Sequence, residues 1–138
     1  MSTDVRPETS TKNRYWISKH HYYELKHFCL QYPEWKRASS LLDDRILQSH
    51  GFTQHYGTSG YSDPTARNAI AKAYFDNYIE TVERMAKSAD KEIGDYILKA
   101  VTEGLSYDYL KTRLEMPCSK DMYYDRYRKF FWLLGRER

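Results

Sequence analysis

The chain is predicted to be all-α, and three observations carry that prediction: apolar residues recur at 3,4 spacing through most of the sequence, helix-capping residues stand immediately ahead of those runs, and no alternating strand pattern survives anywhere. Its 138 residues suit one compact domain, or a small domain with a helical extension. Residues 1–13 are polar and without period, and are expected to be a disordered tail. Ser18 is placed to cap a first helix over 19–31, with Ile17 and Tyr22 positioned as a hydrophobic staple and Tyr22, Leu25, Phe28 and Cys29 supplying its apolar face. Tyr32-Pro33 interrupts that run, because proline disfavours helix in the residue before it and is welcome in a first helical turn. A second helix follows on Trp35, Ala38, Leu41, Leu42 and Ile46, and fades by Gln48.

Residues 49–62 hold three glycines and no period, and are expected to form a flexible loop. Asp63-Pro64 then supplies a capping carboxylate and a proline at the first helical position. The third helix is predicted to keep Ile70, Ala73, Tyr74, Tyr78, Val82, Met85 and Ala86 on one face, long enough to brace an antiparallel helix or to form a dimer seam. From Asp90 the pattern resets. Ile93, Tyr96, Ile97, Ala100 and Val101 share a face, and Gly104 is placed to end that helix in a left-handed conformation. Ser106 caps the next helix through Leu114, Met116-Pro117 ends it, and Ser119 caps the last, 120–134, with Asp121 in the first turn where a negative charge suits the helix dipole. The expected division is a tail at 1–13, a helical pair and loop at 14–62, and a long helix with a helix-turn-helix at 63–138.

Composition narrows the chemistry. Apolar residues make up 41% and charged residues 30%, as in globular proteins, and fourteen tyrosines point to many half-wet contact surfaces. The net charge of +3 is unevenly spread: from Lys111 to Arg138 eight basic residues face four acidic ones, leaving the rest of the chain near −1. Such segregation is the footprint expected of phosphate binding, although basic surface alone is common elsewhere. Cys29 and Cys118 stand far apart, so a reduced, cytoplasmic protein is the default. No stretch reaches membrane-span length, and the N-terminus lacks a signal-peptide core.

On a helical wheel of the last helix, Tyr123, Tyr127, Phe130, Phe131 and Leu134 form a core face. Lys120, Tyr124 and Arg128 lie to one side, Arg126 to the other, and Asp125 and Lys129 point away. A recognition helix needs that division between cationic opening turns and an aromatic anchor. Lys111 and Arg113 on the preceding helix are placed to meet phosphates, and Arg126 or Arg128 to donate two hydrogen bonds to guanine. With Ser119, Lys120, Tyr124 and Lys129 these make the candidate DNA-binding set. A plain helical hairpin with solvated charges stays open beside it.

The ending YILKAVTEGLSYDYLKTRLEMPCSKDMYYDRYRKFFWLL also resembles the C-terminal part of phage and prophage transcriptional regulators of the RinA/ArpU type from Gram-positive bacteria. The resemblance rests on Gly104, Ser106 and Tyr107, then Met116, Pro117, Ser119, Tyr123 and Tyr124, then Arg126, Arg128, Lys129, Phe130, Phe131, Leu133 and Leu134. It implies a sigma-region-4-like helix-turn-helix and control of late phage genes through promoter DNA. The expected partners are double-stranded DNA, host RNA polymerase and a second copy of the chain, with no cofactor and no membrane. Small-terminase-like recognition of packaging sites and a helical protein-protein adaptor are the alternatives.

Other chemistry is weaker. His20, His21, His27 and Cys29, or His50 and His55, fit no zinc-finger spacing. Asp43 with Asp44, or Glu92 with Asp95, sit in no pocket motif. Cys118 and Ser119 have no base or oxyanion loop, and no phosphate-cradling glycine loop exists, so no enzymatic activity is expected. Tyr22, Tyr23, Phe28 and Trp35 could stack on single-stranded bases, but at helical spacing they read first as core. Trp132 and Leu133 fall outside the core arc and are expected to contact a second copy or another partner.

Overall fold

A computed structural model describes residues 11–51 and 64–138, with side chains for all of these but 49–51. Among the described residues the chain is all-α: α1 (Lys19–Leu30), α2 (Tyr32–Gly51), α3 (Pro64–Ala89), α4 (Gly94–Glu103), α5 (Tyr107–Arg113) and α6 (Lys120–Glu137). The expected cap at Asp63, residues 1–10 of the expected tail and residues 52–62 of the expected loop lie outside the described residues, whereas residues 49–51, expected in that loop, continue α2.

Local chemistry accounts for most helix ends. The Ser18 hydroxyl accepts from the His21 N–H, Ser106 from Tyr109 at 3.1 Å, and Ser119 from Met122 at 3.3 Å. Each satisfies a backbone donor that the first helical turn leaves without a partner, a contribution of about 1 kcal/mol. Pro33 sits in the first turn of α2 and Pro64 opens α3. α4 has no such cap on its own N-cap residue, Ile93. Asp90 supplies it instead, its carboxylate accepting from the backbone N–H of Glu92 at 2.7 Å and of Ile93 at 3.0 Å. Gly104 ends α4 at φ 72°, as its position predicted. α5 is capped by Leu114, and Glu115 just beyond it is a non-glycine residue held at φ 55°.

The chain separates into two compact units whose boundary falls inside α3. One unit joins the segment ending at Gln31 to Thr81–Arg138; the other is Tyr32–Glu80. Helix α1 therefore packs with the C-terminal helices, against α4 and α6, while α5 leans on α4. The core of this unit is aromatic. Tyr22 meets Phe131 edge-on at 5.1 Å and shares a 2.9 Å hydroxyl hydrogen bond with Tyr127, while Phe130 and Phe131 pack edge to face at 4.9 Å. Edge-on aromatic pairs contribute about 0.5–1.5 kcal/mol beyond the area they bury. Two glycines permit close helix approach: a Cβ on Gly135 would come within 2.9 Å of the His21 ring, and one on Gly94 within 2.9 Å of the Ala86 carbonyl oxygen.

In the other unit, Trp35 of α2 packs on Tyr78 of α3 at 5.2 Å, and the Ser39 hydroxyl donates to Asp76 at 2.6 Å. Lys72 holds the other carboxylate oxygen of Asp76 at 2.6 Å. Hydrogen bonds from Lys72 and then Ser39 keep the Asp76 carboxyl below its ordinary range.

Two expectations fail here for geometric reasons. The predicted continuous face of α3 does not exist: Val82, Met85 and Ala86 are buried, Tyr78 is half-buried, and Ile70, Ala73 and Tyr74 are exposed. A row of i, i+4 residues drifts about 40° around the helix at each step, so a stripe chained by such steps leaves the core side within three of them. Trp132 is not an open contact surface either, since its ring packs on Tyr15 at 5.5 Å and carries the Arg136 guanidinium at 4.6 Å.

Candidate nucleic-acid interface

The candidate surface is built on α5, the segment 114–119 and α6. That connection is six residues long, against the three or four of a compact helix-turn-helix. It is nevertheless tightly held. Met116 and Cys118 turn inward and are buried, and the Met116 N–H reaches back to the Leu110 carbonyl at 3.1 Å. The Lys111 ammonium donates to the carbonyls of Met116 and Cys118 at 3.3 and 3.2 Å, and the Tyr107 hydroxyl donates to the same Cys118 carbonyl at 3.2 Å. Burial pushes the Cys118 thiol up, so it stays protonated at neutral pH.

Beyond the turn, Ser119, Lys120, Asp121 and Met122 are exposed, whereas Tyr123 next to them is buried. Tyr107, Tyr123, Tyr124 and Tyr127 form a run of ring contacts between 5.2 and 6.4 Å that couples the first turn of α5 to the first two turns of α6. Burial raises the Tyr123 hydroxyl far above the ordinary tyrosine range, and raises Tyr124 as well. These rings anchor the exposed opening turn of α6.

The structure divides the sequence-derived set by role. Arg126 is corrected: it is not an open reader of guanine. Its Nε donates to Asp90 at 3.0 Å and its Nη1 to Asp125 at 2.5 Å. Asp90 is mostly buried, and although burial pushes its carboxyl up, the N–H groups of Ile93 and Glu92 and the Arg126 guanidinium together bring it below the ordinary value. Arg126 thus ties the middle of α6 to the start of α4. Asp125, expected to point away, completes that tie. Lys111 is likewise a clamp on turn carbonyls, and Ser119 is a helix cap. Arg113 and Lys120 are exposed, and Tyr124, Arg128 and Lys129 are half-buried. The Nε of Arg128 is buried without a hydrogen-bond partner in the protein.

Sequence reasoning missed Asp90 as a partner, because the pairing spans 36 residues and no local spacing signals it. It also counted cations that the fold engages elsewhere. Arg138 lies over the Phe28 ring at 3.9 Å, and Arg136 over the Trp132 ring at 4.6 Å. Arg84, Lys87, Ser88 and Lys91 line a separate open hollow of about 490 Å³.

Among the described residues, no group of three or more His, Cys, Asp or Glu side chains could hold a metal ion, and no helix is long and apolar enough to cross a membrane. No protein-family model, curated protein or solved structure matches the chain.

Proposed function

We propose that the α5–α6 segment binds double-stranded DNA as a helix-turn-helix, with the opening turn of α6 directed at the major groove. The observation that carries this reading is the abrupt change along α6: Ser119 to Met122 stand exposed, while Tyr123, Phe130, Phe131 and Leu134 immediately beneath are buried and fix the helix. Lys120, Arg113, Arg128 and Lys129 supply the phosphate contacts. Lys111, Ser119 and Arg126 hold the element in shape, and Tyr124 braces the recognition turn. Regulation of phage or prophage transcription in a bacterial cytoplasm rests on the resemblance to RinA/ArpU-type regulators. Recognition of a packaging site is the second reading, favoured by the exposed apolar side chains of α3, which call for assembly with further chains.

Fluorescence anisotropy with duplex DNA from the neighbouring genome, set against an unrelated duplex, tests the proposal. With about four phosphates neutralised, affinity falls about a hundredfold between ~50 and ~200 mM salt. The double variant Arg113→Ala, Lys120→Ala weakens binding to both duplexes while leaving the helical circular dichroism unchanged. Absence of binding at low salt, or binding indifferent to salt, overturns the reading.

A further inference from the structure

Two ion pairs lay the end of α3 along α6. Arg84 donates to Glu137 at 2.7 Å, at the far end of α6, and Arg126 in its first half donates to Asp90 at 3.0 Å. The pairs run in opposite order along the two helices, so the last turns of α3 lie antiparallel beside α6 and the α3–α4 corner comes level with the opening turns of α6. The charges of Asp90 and Glu92 also act on the Cys118 thiol, which sets the same corner beside the α5–α6 turn.

Lys87, Ser88 and Lys91, with Arg84, line the open hollow of about 490 Å³ on this part of α3. Their spacing of three and four residues gives them one face, away from the buried Val82, Met85, Ala86 and Ala89. Arg84 is engaged by Glu137 and carries no part of the argument. Lys87, Ser88 and Lys91 are exposed, neither lysine enters an ion pair among the described residues, and no acid among them lines the hollow. Two ammonium groups with a hydroxyl between them suit phosphodiester oxygens, which accept from both.

Position distinguishes this face from an ordinary solvated row of lysines. Helix α5 meets α6 through Tyr107 on Tyr124, and the α3–α4 corner meets it at Arg126; two residues apart, these lie on opposite flanks of α6. A major groove about 12 Å wide has a phosphate strand along each rim. With α6 in the groove, exposed Arg113 on α5 serves one rim, and the other passes the α3–α4 corner. We infer that Lys91 and Lys87, with Ser88 between them, bind the DNA backbone along that second rim, so that the chain grips both strands bordering α6. The inference rests on the DNA-binding reading above.

Anisotropy titrations of the full chain at several salt concentrations, on the same two duplexes, test it. Lys91→Ala and Lys87→Ala are each expected to lower the slope of log affinity against log salt by about one, equally on both duplexes because a phosphate contact carries no sequence information, with unchanged circular dichroism. Lys91→Arg keeps the parental slope. Lys26→Ala removes the same charge from the stretch of α1 where Leu25 and Phe28 adjoin Gly135 and Arg138, at the other end of α6, and leaves the slope unchanged. A parent chain that binds while both lysine-to-alanine variants keep its slope, or a Lys26→Ala chain that loses as much as they do, overturns the second-rim contact alone; a parent chain that binds neither duplex overturns the DNA reading with it.

Discussion

The two halves of α3 share one helix and one kind of sequence, yet do opposite things. From Thr81 onward, Val82, Met85, Ala86 and Ala89 are buried in the core with α1, α4 and α6; before Glu80, Ile70 and Tyr74 stand in solvent. Both halves show apolar residues at 3,4 spacing. Periodicity measures whether a helix has a face and is silent on what meets it. The buried half is specified by long-range fit, and the apolar residues Ile70 and Tyr74 of the other half are left exposed.

The sharpest way to break this comparison is to truncate one large apolar residue in each half. Met85→Ala is expected to cost about 2–5 kcal/mol in urea unfolding, because the surrounding helices cannot close the cavity fully. Ile70→Ala is expected to change stability by less than about 0.5 kcal/mol at low chain concentration. Equal losses would mean that the N-terminal half of α3 is core after all.

Close packing in the buried half gives the next effect. At Gly94 an added methyl group meets the Ala86 carbonyl oxygen at 2.9 Å and the Lys87 Cα at 3.2 Å, both backbone atoms that cannot swing aside. Gly94→Ala should cost about 1–3 kcal/mol by forcing α3 and α4 apart. A thermal midpoint equal to that of the parent chain would show the junction to be looser than its geometry.

Arg126→Ala should cost about 1–3 kcal/mol by leaving the Asp90 carboxylate without its charged partner. The sign of the pH dependence follows from Asp90, whose folded pKa lies below the unfolded one. Its contribution is complete above the ordinary carboxylate value near 3.8 and is lost as pH falls through the lower folded value. Acid titration of stability should therefore flatten in that window in the Arg126→Ala chain. The same variant distinguishes a structural tie from a base contact, since the former lowers stability without DNA present.

The smallest effect has the opposite sign. Glu115 sits at φ 55°, where a side chain is disfavoured, and Glu115→Gly is expected to stabilise the turn by about 0.5–1 kcal/mol. Thermal unfolding checks it; a destabilised chain would mean that Glu115 makes a contact outweighing its backbone strain.

What the sequence alone determined were the local features. The all-α class, the serine caps at Ser18, Ser106 and Ser119, the interruption at Tyr32-Pro33, the left-handed stop at Gly104 and the core face of α6 each follow from residues within about four positions of one another, where backbone geometry fixes who can touch whom. The candidate interface was legible only in outline for the same reason. Lys111, Lys120, Arg113 and Arg126 look alike as cations in a sequence, and what separates a clamp on turn carbonyls, an exposed charge and an ion-paired tie is who stands opposite in space. Only the tertiary structure decided that Asp90 receives Arg126, that α1 packs with α4 and α6, and that the stripe of α3 divides near Glu80. Those outcomes join residues tens of positions apart, and spacing along a chain carries no information about contacts whose geometry is set by other helices.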